Sequence, residues 1–122
     1  MSDPFRDAVR RLSHVPGVSG AMVVDANAGV AVAEELTPEV SGTAIGALAG
    51  ALFSRTSQAS LMAGLGELQT VQLGADSGHV LIAGAGDLIV VALVSDDAQI
   101  GRVRMEAQRA AVALRVAMEP GT

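Results

Sequence analysis

The chain has 122 residues and a formal net charge of −5, and half of its residues are hydrophobic although only two are aromatic. That length suits one domain with an aliphatic core, and an acidic chain without stacking aromatics is a poor nucleic-acid binder. All eight basic residues are arginine and cysteine is absent, which excludes disulfides, a thiol nucleophile, a Schiff-base lysine and a Walker phosphate loop.

The first third of the sequence predicts a helix and a hairpin. In SDPFRDAVRRLSH, Asp3 can cap a helix and Pro4 fits its first turn. The turn VPG at 15–17 ends this helix. VSGAMVVD (18–25) and VAVAEE (30–35) then read as two strands joined by a turn that contains glycine.

A second helix is predicted to start at Thr37-Pro38-Glu39 and to run to about Gly64. Small residues recur in it at four-residue spacing: Gly42, Gly46, Gly50 and Ser54. Glycine inside a helix costs about 1 kcal/mol relative to alanine, so we expect a close neighbour on this side. Apolar residues cluster on a different side, which we expect to lie on the sheet: Ile45, Leu48, Leu52, Ala59 and Ala63.

Burial of this helix on two sides predicts a second copy of the same helix, related by a two-fold axis and packed against the glycine stripe. Chance spacing in an alanine-rich chain and a membrane helix dimer are the two alternatives. The apolar runs 40–53 and 80–94 both fall short of the roughly 20 residues that a membrane span needs. We therefore expect a cytoplasmic protein without membrane insertion.

Three strands and a helix complete the chain. ELQTVQL (67–73) mixes polar and apolar residues and predicts an edge or half-exposed strand, and HVLIAGA (79–85) follows it. LIVVALV (88–94) is an unbroken apolar run, which is typical of a central strand covered on both faces. SDD at 95–97 is expected to cap the last helix.

The predicted fold class is α+β, with element order α-β-β-α-β-β-β-α in a single domain over residues 1–122 and a frayed tail at 119–122. We expect a five-stranded antiparallel sheet with the second helix on one face.

The sequence predicts no catalytic or metal-binding constellation. GAGD (84–87) contains Gly-x-Gly, but a strand follows it where the dinucleotide fingerprint needs a helix. His14 is expected at a helix C-terminus, and His79 begins a strand without marking a ligand or a base. Asp25 is expected to bond its own turn. We therefore expect neither an enzyme nor a cofactor or metal.

VPGVSGAMVVDANAGVAV resembles the first hairpin of the Roadblock (dynein light-chain) family, in which a helix ends at a PGV-type turn and an Asp closes strand one. DLIVVALVSDDAQIGRVRMEAQRAA is similar to that family's last strand and helix, with an apolar-Gly-x-apolar step at residues 100–103. The resemblance covers nearly the whole chain and indicates the bacterial small-GTPase-regulator type, with a Roadblock/profilin-like sandwich.

The resemblance implies a homodimer in which the second helices pair antiparallel on one face and the third strands meet in one continuous sheet. It also implies that the N-terminal and C-terminal helices cover the opposite face. Together with the glycine stripe it assigns eight residues to the dimer interface: Gly42, Gly46, Gly50, Phe53, Ser54, Leu68, Thr70 and Val71. It also implies an adaptor or GTPase-activating protein that binds and regulates a small Ras-like GTPase. We assign the polar rim of that contact to Glu39, Arg55 and Gln58.

Three alternatives stay open at this point. Arg55 could act as an arginine finger on the GTPase, although holding the switch loops in one arrangement is the favoured mechanism. The chain could instead be a structural scaffold or light-chain subunit of a larger complex. A ligand-sensing domain is disfavoured by the shortage of aromatic residues and of convergent polar residues.

Overall fold

The computed structural model describes residues 3–120 and contains the predicted elements in the predicted order. These are α1 (Pro4–Ser13), β1 (Val18–Asp25), β2 (Val30–Glu35), α2 (Gly42–Met62), β3 (Thr70–Ala75), β4 (Gly78–Ala85), β5 (Leu88–Ser95) and α3 (Ile100–Ala117). The predicted tail at 119–122 begins after α3 ends, and its last two residues lie outside the described part of the chain.

The five strands form one antiparallel sheet in the order β2-β1-β5-β4-β3. β5 is the central strand of the sheet, and its side chains are buried on both faces, as its apolar run predicted. β3 is an edge strand, also as predicted, but it begins three residues later than the sequence pattern suggested.

Each face of the sheet has its own apolar cluster. α1 and α3 cover one face, where the buried residues include Leu12, Val23, Leu81, Val90 and Leu114. α2 covers the other face, where they include Met22, Ala49, Phe53, Ile82 and Val91. The predicted arrangement of helices on the two faces is confirmed, and the core is almost entirely aliphatic.

Local hydrogen bonds explain where α1 and the hairpin turn begin. The Asp3 carboxylate accepts from the backbone N–H groups of Phe5 (3.0 Å) and Arg6 (3.3 Å), which confirms the predicted cap. The Asp25 carboxylate accepts from the N–H groups of Asn27 and Ala28, both at 3.0 Å. Asp25 is therefore engaged by its own turn, as expected.

The predicted starts of the other two helices are wrong. α2 begins at Gly42 because Ser41 caps it, accepting from the Ala44 N–H at 3.2 Å. Thr37 instead begins a turn, and its carbonyl accepts from the Val40 N–H at 3.0 Å. α3 begins at Ile100 without a side-chain cap, because the Ser95 hydroxyl donates to Asp97 at 2.7 Å rather than capping the helix.

Candidate interaction surface

The glycine stripe of α2 packs against the chain's own β1–β2 hairpin. A Cβ added at Gly46 would stand 3.1 Å from the Gly29 carbonyl oxygen, and one at Gly50 would stand 2.9 Å from the Ala26 carbonyl oxygen. A Cβ at Gly42 would meet the carboxylate of Glu34. The missing side chains let the helix backbone approach the turn closely.

This contact corrects the assignment of the stripe to a dimer interface. Gly42, Gly46, Gly50 and Phe53 are all buried within the single chain, and Phe53 packs against Gly84 of β4. The sheet-facing side of α2 is therefore the glycine side. Of the residues predicted to face the sheet, Ile45 and Leu52 are half-buried, whereas Leu48, Ala59 and Ala63 are exposed.

The side of α2 that points away from the sheet is exposed along most of the helix. We call it the α2 outer ridge, and it consists of Ala44, Leu48, Ala51, Arg55 and Gln58. These positions repeat at three and four residues and so share one face. Leu48 is 72% exposed, which makes this ridge an apolar strip with Arg55 and Gln58 toward one end.

The rim residues predicted for a partner are exposed but do not form one cluster. Arg55 and Gln58 are neighbours on the outer ridge, whereas Glu39 precedes the helix in the turn before Ser41. Arg55 lies about 20 Å along the helix from Gly42. Glu39 and Arg55 therefore mark opposite ends of the ridge.

The C-terminal end of α2 and the turn that follows it are exposed. α2 ends at Met62, and every residue from 61 to 67 is exposed in the single chain. This segment leads directly into the edge strand β3. It carries three exposed apolar residues, which we call the α2 overhang: Leu61 (64%), Met62 (88%) and Leu65 (79%).

The edge strand β3, which follows this segment in the chain, can pair with a further strand along its outer side. β3, with the sequence TVQLGA, carries no charge or proline, and it pairs with β4 without a register shift. Leu73 of this strand is 44% exposed. Such a flat, uncharged edge is a template for another strand.

The opposite edge of the sheet is protected. In β2 a bulge interrupts the pairing with β1, because Val23 faces Ala33 while Val24 faces Ala31, which leaves Val32 unpaired. Glu34 and Glu35 add two exposed charges to the same strand. Bulges and charges are both devices that prevent an edge strand from pairing.

The remaining predicted interface residues lie on β3, just before it, or on α2. Thr70 and Val71 are half-buried on β3, and Leu68 packs partly against the cluster under α2. Ser54 is half-exposed on the flank of α2. The overhang was not predicted as a surface, because the expected contact was placed along the glycine stripe.

Two further polar features of the structure are an enclosed histidine side chain and a groove. The Nδ1 atom of His79 is enclosed and has no hydrogen-bond partner among the described residues. A groove of about 490 Å³ lies between α1 and β2 and is lined by Arg6, Arg10, Glu34 and Glu35 among others. No helix within residues 3–120 combines the length and apolar character that crossing a bilayer requires.

The chain combines a sheet that has helices on both faces with an uncharged edge strand and an exposed apolar segment next to it in sequence. Residues 5–95 match the Roadblock/LC7 domain family, and the chain belongs to this family. The uncharacterized protein MJ0714 of Methanocaldococcus jannaschii is 32% identical over 100 residues, which cover 82% of this chain and 84% of that protein.

Two solved structures share the fold. MglB from Myxococcus xanthus superimposes with a TM-score of 0.83 at 16% identity, covering 93% of each chain. The Roadblock/LC7 domain from Streptomyces avermitilis gives a TM-score of 0.81 at 20% identity, covering 91% of this chain and 94% of that one. These likenesses confirm the α+β sandwich predicted from the sequence.

Proposed function

We propose that two copies of this chain associate through their β3 edges and α2 overhangs. A strand that pairs antiparallel with its own copy in one continuous sheet requires a two-fold axis perpendicular to that sheet. Such an axis keeps both α2 helices on the same face, where each overhang reaches toward the other copy. Open backbone groups and exposed apolar side chains at one edge support this arrangement.

The proposed interface retains part of the predicted residue set. Thr70, Val71 and Leu68 belong to the β3 junction, and Ser54 lies on the flank of α2 that approaches it. Leu61, Met62 and Leu73 are added because they are exposed at the same edge. The proposed interface leaves out the four α2 residues that are buried against the hairpin and β4: Gly42, Gly46, Gly50 and Phe53.

In this dimer the α2 outer ridges stay accessible, and we propose that they bind a small Ras-like GTPase in the cytoplasm. Membership of the Roadblock/LC7 family supports an adaptor of this kind. The exposure of Leu48 among small and polar residues is the observation that carries the proposal, since an apolar centre with a polar rim suits protein recognition. The proposed role is non-enzymatic.

The test is to measure GTP hydrolysis and nucleotide exchange by a small Ras-like GTPase from the same genome, with and without this protein. We expect a stable complex and a change in one of the two rates. A Leu48→Glu variant should abolish the complex and the change in rate while remaining dimeric. A complex that forms without any change in rate would favour the scaffold function, and the absence of any complex would refute GTPase binding.

A further inference from the structure

Charge is divided unevenly between the two sides of this protein. α1 and α3 together contain seven arginines and only two acids, Asp7 and Glu106, although the whole chain has a net charge of −5. The rest of the chain holds one arginine and eleven acids. The layer formed by α1 and α3, called here the helical layer, is therefore a basic face on an acidic protein.

The arginines extend across the whole helical layer. Arg6 and Arg10 line the groove beside β2 at one edge. Near the other edge, Arg104 donates to the Gln72 side chain at 3.3 Å and Arg115 to the Gly84 carbonyl at 3.5 Å. All seven arginines are exposed.

Few of these charges are neutralised within the chain. Glu106 pairs with Arg109 at 2.9 Å and lies 3.9 Å from Arg11. Of the other nearby acids, Asp3 caps α1, and Asp96 and Asp97 precede α3. Glu34 and Glu35 line the groove that Arg6 and Arg10 also line. The centre of the layer keeps an excess of positive charge.

The most outward line of α3 is apolar. Met105 (49% exposed), Val112 (58%) and Val116 (60%) lie directly opposite the buried residues Val103 and Leu114. Arginines flank this line on both sides: Arg102 and Arg109 on one, and Arg104 and Arg115 on the other. Apolar side chains at the apex with arginines beside them match a helix that lies in a lipid interface.

We propose that the helical layer binds the surface of a membrane rich in anionic lipid. The arginines would contact headgroup phosphates while Met105, Val112 and Val116 enter the headgroup region. Glu34 and Glu35 oppose Arg6 and Arg10 at the β2 edge only, whereas Arg104 and Arg115 of α3 lie beside β3 and β4. A nucleic acid would leave the apolar line unused.

The test is sedimentation of the full-length protein with vesicles of equimolar phosphatidylglycerol and phosphatidylcholine, compared with vesicles of phosphatidylcholine alone. We expect binding to the anionic vesicles, loss of binding as salt is raised, and no binding to the neutral vesicles. Arg109→Gln and Arg102→Gln should each weaken binding by about fivefold. Val112→Ser should also weaken it, which a purely ionic contact would not predict, because this change removes apolar surface without altering the charge.

Asn27→Asp is the matched control, because it lowers the net charge by one at the exposed hairpin turn, away from the helical layer. It should bind anionic vesicles as the unchanged protein does. Circular dichroism should show that each variant is folded, and the substituted residues are all exposed. The proposal is overturned if anionic vesicles do not bind, if the control weakens binding as much as Arg109→Gln, or if duplex DNA binds and vesicles do not.

Discussion

Gly50 of α2 lies so close to the hairpin turn that a Cβ at this position would stand 2.9 Å from the carbonyl oxygen of Ala26. Backbone meets backbone here, so neither side can yield by turning a side chain. This contact sets how α2 is rotated on the sheet. It therefore also determines which α2 residues point outward.

Replacing Gly50 with alanine should destabilise the protein by about 1–3 kcal/mol, because the new methyl group must displace the hairpin. That cost exceeds the gain of about 1 kcal/mol that alanine gives in an open helix position. Gly101→Ala in α3 is the matched control, since its nearest new contact is the end of the Arg104 side chain at 3.8 Å. Urea unfolding should show Gly101→Ala unchanged or stabilised, and equal effects of the two variants would contradict the contact.

The start of α2 can be tested by removing one hydroxyl at a time. Ser41→Ala should lower the free energy of unfolding by about 0.5–2 kcal/mol, because the Ala44 N–H loses its acceptor. Thr37→Ala should change it by less than about 0.5 kcal/mol. Thermal or urea unfolding of the two variants gives the comparison, and the reverse order would return the helix start to Thr37.

The proposed dimer predicts that the two edges of the sheet respond differently to charge. Leu73→Arg on β3 should shift sedimentation toward the monomer, since it places a charge at the paired edge. Val32→Arg on β2 should leave the dimer intact, because Val32 lies in the bulge of the protected edge. Both residues are exposed in the single chain, so neither change should unfold it. A dimer that survives Leu73→Arg would exclude the β3 junction.

Replacing Arg55 distinguishes two mechanisms by which this protein could act on a GTPase. If the outer ridge only holds the switch loops, Arg55→Ala should reduce affinity modestly and leave most of the rate change at saturating protein. If Arg55 enters the active site as a finger, the same variant should lower the stimulated rate about 10³-fold or more. Single-turnover GTP hydrolysis at saturation distinguishes the two, and we expect the first result.

The order of the elements and the places of β3 and β5 could be predicted because each rests on local patterns. An apolar run of seven residues has to be covered on both faces, whatever surrounds it. The caps of α1 and of the Asp25 turn are likewise short-range hydrogen bonds between neighbours in sequence.

The orientation of α2 could not be predicted in the same way. The helix has a glycine side and an apolar side, and either could face the sheet by its periodicity alone. The choice depends on the approach of Gly46 and Gly50 to residues 26–29, a contact made only in the folded chain. The start of α2 was similarly ambiguous, because Thr37 and Ser41 are both acceptable caps.

The bulge at Val32 has a consequence for how far the molecules can assemble. A sheet with two open edges could add copies at both ends without limit and grow into a filament. Here one end of the sheet is blocked by an unpaired residue and two carboxylates. If two copies join through their β3 edges, growth by strand addition stops at the dimer, because both remaining sheet edges are protected β2 strands.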